Sequence, residues 1–186
     1  MNHNPYRELR TPSDYDLRKT IKNGNMALGD FFRKKSPLDV AVLQDFAHSG
    51  DQLVALMRLF EACHNSFQRQ ARGGFASEAI VGREPFAKAL TQVEYAYYDA
   101  EVAQLESDYR RRKFWYTLLT LGLGKNPPEE PRQPDHPLLI ALDGLICSGL
   151  VECLENPDTP NRIKVVFPSC ELVKRLHVGE RRATAG

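Results

Sequence analysis

No Cys-x-x-Cys pair, no glycine-rich loop between a strand and a helix, and no apolar run long enough to cross a bilayer occurs in this 186-residue chain. The four cysteines, Cys63, Cys147, Cys153 and Cys170, match none of the short chelating spacings of structural zinc sites, and a disulfide framework is not expected of them. Reduced thiols and cytoplasmic residence follow as the expectation. The most apolar stretch, Phe114 to Leu123, has about half of the roughly 20 residues that a spanning helix needs, and no charged-then-apolar leader opens the chain. A membrane is therefore not an expected partner. Charge of one sign is missing too: 25 Lys and Arg face 24 Asp and Glu, leaving +1, so any attraction to a polyanion must come from a local patch.

Catalytic constellations are equally scarce. Cys63 and His64 are adjacent, which on a helix turns their side chains about 100° apart and prevents a nucleophile–base pair between them. Cys147, Cys153, Cys170 and His177 share one segment without chelating spacing, and Gly122 and Gly124 precede a proline tract rather than cradle a phosphate. Glu94, Asp99, Glu101, Glu106 and Asp108 read as a solvated helix face. No enzymatic activity, cofactor or metal is expected.

Present instead are 42% hydrophobic and 26% charged residues, a balance that supports a buried core. Residues 1–36, where Pro5, Pro12 and Gly24 punctuate a thin scatter of apolar side chains, read as a partly flexible arm that Phe31 and Phe32 dock onto the body. Residues 37–123 read as a helical domain. Pro37 suits a first turn; Val40, Leu43 and Phe46 mark a short helix; Ser49 to Asp51 cap a second, carrying Leu53, Val54, Met57 and Phe60, which Gly73 and Gly74 end. Pro85 opens a long stripe of Phe86, Leu90, Val93, Tyr97, Val102, Leu105 and Tyr109. Unbroken to Leu123 that helix would measure roughly 58 Å at about 1.5 Å per residue, more than a compact domain is wide. A break at Ser107 and Asp108 is expected, with Trp115, Leu118 and Leu119 in the following helix.

Pro127, Pro128, Pro131 and Pro134 make residues 124–137 a linker or exposed loop. Leu138 to Ser148 reads as a helix that buries Leu138, Leu142, Leu145 and Ile146 and ends at Gly149. Leu150–Glu155 and Arg162–Phe167 then form a hairpin around the polar tip Asn156–Asn161, Ser169 caps a last helix through Leu172, Val173 and Leu176, and residues 179–186 are a flexible tail. The fold class is mainly α, a helical bundle with a C-terminal module at 138–178 that contains one β-hairpin.

Gly149, Leu150, Val151 and Glu152, then Asn156, Pro157, Asp158 and Arg162, then Val165, Val166, Phe167, Pro168 and Ser169, stand in an order that resembles the C-terminal half of a winged helix-turn-helix domain, most nearly that of the MarR-like regulators. The resemblance implies that the tip is a wing and that Arg162 approaches the DNA backbone or minor groove, with Lys164 beside it. The helix in the recognition position, Leu138 to Ser148, departs from the pattern in carrying no Lys, Arg, Asn or Gln for base readout.

Two functional readings follow. In the first the protein is a DNA-binding regulator that uses Arg162 and Lys164 on the wing, with phosphate contacts from the densest basic run, Arg110, Arg111, Arg112 and Lys113. Consecutive helical residues point around the whole circumference, so only some of these four address one strand, and the adjacent Phe114, Trp115 and Tyr116 are expected in the core. In the second it is a non-enzymatic adaptor or inhibitor whose helical surface engages another protein, with Tyr95, Tyr97 and Tyr98 as anchors. Either reading accommodates a homodimer through the long helix.

Overall fold

The computed structural model describes residues 11–34, 38–73, 78–120 and 126–183, with side chains as far as His177. Pro5, Pro37, Gly74 and the stretch Leu121 to Lys125 lie outside the described residues. The chain is mainly helical, with a small three-stranded antiparallel sheet.

The first helix, α1 (Asp14–Arg33), occupies most of the segment expected as an arm. Its apolar residues are few but well placed: Leu17, Ile21, Leu28 and Phe31 recur at spacings that keep them on one face, and all are buried. A capping box starts it, in which Ser13 Oγ accepts from the Asp16 amide at 3.2 Å and the Asp16 carboxylate accepts from the Ser13 amide at 3.3 Å. Gly24 belongs to the same face and does not break the helix. It admits the Phe167 ring, which a Cβ at this position would meet at 2.7 Å from Cδ2.

A short helix, α2 (Val40–Gln44), capped by Asp39, leads to α3 (Gly50–Arg72), where Ser49 Oγ accepts from the Gln52 amide at 3.2 Å and Gly73 closes the far end. Helix α3 is the spine of the core and buries Ala55, Leu56, Leu59, Phe60, Cys63 and Phe67. Strand β1 (Val81–Gly82) follows, then α4 (Arg83–Thr91) and α5 (Ala96–Thr120). The break in the long apolar pattern therefore falls at 92–95, not at Ser107 and Asp108. Asp99 fixes that start, since its carboxylate accepts from the Tyr95 amide at 3.1 Å while its own amide donates to the Tyr95 carbonyl at 2.9 Å. Asp108 is accommodated inside the helix through an ion pair to Arg111 at 3.1 Å, so it is not needed as a cap.

After the irregular proline-rich segment come α6 (Pro137–Cys147), β2 (Val151–Glu155), a 3-10 turn at Pro160–Arg162, β3 (Lys164–Pro168) and α7 (Cys170–Ala183). Gly149, at φ +73°, supplies the left-handed residue that turns the chain from α6 into β2. Ser169 caps α7 by accepting from the Leu172 amide at 3.3 Å, and the helix runs through most of the expected tail. The hairpin pairs Glu152 with Phe167 and Leu154 with Val165. Strand β1 adds to its other side, giving the order β1-β3-β2. Central strand β3 is covered on both faces, since Val165, Val166 and Phe167 are all buried, which anchors the hairpin firmly to α1, α3 and α4.

Candidate interaction surfaces

Three surfaces concern function: the hairpin tip, the outer face of α6 and the long helix α5. At the tip, Asn161 and Arg162 adopt positive φ, 61° and 49°, and turn the chain back into β3. Arg162 lies in this turn instead of opening the strand. Its guanidinium is ion-paired with Asp14 at the start of α1 at 3.1 Å, and Asp158 across the tip pairs with Arg18 of the same helix at 2.8 Å. These two pairs clasp the tip against α1. Arg162 is thus exposed but already opposite a carboxylate, whereas Lys164 is exposed with no ion-pair partner among the described residues.

Helix α6 begins with His136 as its cap, whose Nδ1 accepts from the Leu138 amide at 3.2 Å. Leu138, Leu142 and Leu145 are buried as the sequence predicts, and Ile146 is half-buried. The outer face carries Ile140, 61% exposed, with Asp143 and Cys147 also exposed. Asp143 lies 3.6 Å from Arg83 of α4. An apolar and acidic face of this kind offers no donor to a base edge and repels phosphate.

The basic run on α5 is neutralised in part by its own helix. Arg110 pairs with Glu106 and Arg111 with Asp108, each at 3.1 Å, Arg112 donates to the Asp108 carbonyl at 3.3 Å, and Lys113 sits over the Tyr109 ring at 5.6 Å. Among the described residues α5 makes no extensive contact with β2 or β3, so the basic run does not adjoin the hairpin as one packed surface.

The three tyrosines expected as anchors divide. Tyr95 and Tyr98 build the root of α5: Tyr95 donates its hydroxyl to Asp51, Tyr98 donates to the Pro134 carbonyl at 3.1 Å, and the His136 ring packs on both, at 5.8 and 4.8 Å. His136 is itself buried, and its Nε2 has no hydrogen-bond partner among the described residues. Only Tyr97 is presented to solvent, at 90% exposure. Beyond the root, one side of α5, with Val102, Leu105 and Tyr109 half-buried, lies along the proline-rich segment near Glu130, Pro131 and Gln133.

The far end of α5 contradicts the expectation that its aromatics are core. Phe114, Trp115, Leu118 and Leu119 are 61, 52, 54 and 77% exposed, and no residue of α5 is buried. Spaced at three and four residues, they form one contiguous patch directly after the basic run. Sequence periodicity missed it because apolar residues occur on two sides of the helix, and period alone does not say which side is covered.

An apolar groove of about 1020 Å³ also lies between α1 and α3, walled by Phe31, Phe32, Phe60 and Phe67. Its cations are engaged, Arg33 with Asp30 at 2.8 Å and Arg58 with Glu61 at 3.0 Å. The His64 ring packs at a tilt against Phe32, centroids 5.1 Å apart, while Cys63 is buried in the core, which pushes its thiol pKa up. Among the described residues no group of three His, Cys, Asp or Glu side chains is placed to hold a metal, and no helix is long and apolar enough to cross a membrane. Comparison with protein-family models, curated proteins and solved structures finds no match to this chain.

Proposed function

We propose that the protein is a non-enzymatic protein-interaction module that engages its partner through α5. The observation that carries this reading is the bare patch of Phe114, Trp115, Leu118 and Leu119 on a helix with no fully buried residue. A contiguous exposed apolar patch of this kind marks an interaction site, Trp115 is the type of residue that anchors one, and the flanking Arg110 to Lys113 supply a polar rim. Tyr97 adds an anchor at the opposite end of the helix; Tyr95 and Tyr98 hold the helix to the body instead of touching a partner.

A DNA-binding regulator is the second reading. What favours it is the order α6, β2, β3, α7, which fits the winged-helix resemblance, together with Lys164, which has no ion-pair partner among the described residues. It ranks lower because Arg162 faces Asp14 and because the outer face of α6 is apolar and acidic.

Recovery from a native extract separates the two. Wild-type protein should bring down a stoichiometric protein partner, and Leu118→Glu with Leu119→Glu should lose it. Recovery of nucleic acid without protein, together with low-salt DNA-column retention that Arg162→Ala and Lys164→Ala abolish, would establish the DNA reading instead.

A further inference from the structure

The bare side of α5 has a regular composition. Tyr97, Glu101, Gln104, Asp108, Arg111, Trp115 and Leu118 succeed one another at alternating steps of four and three residues and so line one face of the helix. This stripe is rotated about a third of a turn from the side that lies along the proline-rich segment. All its members are exposed except the partly covered Asp108. The stripe is aromatic or aliphatic at its ends and polar in the middle, and its charges are ordered: acidic toward the N-terminal end, basic toward the C-terminal end.

We infer that the partner of α5 is α5 of a second copy of this chain, paired antiparallel about a two-fold axis level with Glu106. The inference rests on the reading of α5 as the contact surface and names its occupant. In this register Tyr97 meets Trp115, Glu101 meets Arg111 and Gln104 meets Asp108, and the symmetry makes each meeting twice. Aromatic rings close both ends, opposite charges face one another, and an amide faces a carboxylate at the centre. The Asp108–Arg111 ion pair within one chain does not oppose this, because both side chains are exposed, at 43 and 73%, and such a pair is worth little to keep.

Other arrangements of the same helix are worse. Parallel pairing places Glu101 on Glu101, Asp108 on Asp108 and Arg111 on Arg111, which repel. Sliding the antiparallel pair by one heptad sets Asp108 against Arg111 but also Glu101 against Leu118 and Gln104 against Trp115 and leaves Tyr97 without a partner, whereas the register level with Glu106 joins both aromatic ends and leaves Leu118 alone outside the seam, opposite Glu94. The seam from Tyr97 to Trp115 measures about 27 Å at 1.5 Å per residue, enough for six cross-helix meetings.

Light scattering coupled to gel filtration on the full chain, across a concentration series, tests the pairing. The wild type should run as a dimer. Glu101→Arg and Arg111→Glu should each raise the dissociation constant about tenfold or more, and the double exchange should restore it to within about threefold. None of these side chains is buried, so circular dichroism should show each variant folded. A monomer at every concentration, a dimer indifferent to the single exchanges, or a double exchange that fails to rescue would each overturn the inference. The proposed function is judged separately: a monomer that still loses a foreign partner with Leu118→Glu and Leu119→Glu keeps the contact surface and discards only the second copy.

Discussion

Helices α3 and α5 are almost equal in length, 23 and 25 residues, yet α3 buries six side chains and α5 none. The difference lies in where the apolar residues fall. In α3 they share one face, and the sheet, α6 and α1 close over it. In α5 they divide between the side facing the proline-rich segment and a bare side, so neither gathers enough apolar surface to be drawn into the core. Stability and interaction are thereby assigned to different helices, and substitutions in one should leave the other's role intact.

The sharpest way to break this contrast is to truncate a leucine in each. Leu59 is fully buried in α3, and Leu59→Ala should cost about 2–5 kcal/mol in urea unfolding, through lost transfer energy and the cavity left behind. Leu119, 77% exposed in α5, should change stability by less than about 0.5 kcal/mol when truncated, measured under dilute conditions. A Leu119→Ala cost near that of Leu59→Ala would mean that α5 belongs to the core after all.

How far the sequence reveals this division depends on the element. The caps at Ser49 and Ser169, the glycine at 149 and the presence of the hairpin were readable because each has a local chemical cause: a hydroxyl for an orphan amide, a backbone free of Cβ, two runs of strand-forming residues on either side of a polar tip. Helix α1 was missed since few apolar residues read as a loose arm, although their spacing was helical, and Gly24 looked like a breaker when its role is to admit Phe167. Strand β1 has only two residues and carries no pattern of its own. The exposed end of α5 was invisible for a different reason, that burial is decided by what lies across from a residue and not by its own period. The clasp of Arg162 by Asp14 joins residues 148 positions apart, a pairing no local reading could supply.

A gentler probe uses Cys63, buried in α3, whose thiol pKa burial pushes above its ordinary value of 9.0. The unfolded chain releases this proton near that ordinary value, while the folded chain holds it. The stability contribution is therefore intact below about pH 9 and declines as pH rises through the interval up to the folded value, by up to about 1.4 kcal/mol per pH unit. Cys63→Ala should lack that part of the slope, so the difference between the two proteins isolates it from other alkaline titrations. Equal slopes in both would show that the thiol is not shielded as α3 requires.

The smallest effect should come from the clasp on the hairpin tip. Arg162 and Asp14 are 56 and 44% exposed, so solvent and salt screen the pair, and a double-mutant cycle with Arg162→Ala and Asp14→Ala should give a coupling below about 1 kcal/mol. The same variants sharpen the contrast between the tip and α5 as contact surfaces. With Asp14→Ala the arginine keeps its charge and loses its carboxylate, so a wing held in check by α1 should gain affinity for DNA, and the gain should fade with salt. If α5 alone carries the function, Asp14→Ala should leave DNA retention at its wild-type level and partner recovery unchanged. An increase in DNA retention that Arg162→Ala removes would instead restore the wing as a binding surface and make Asp14 its brake.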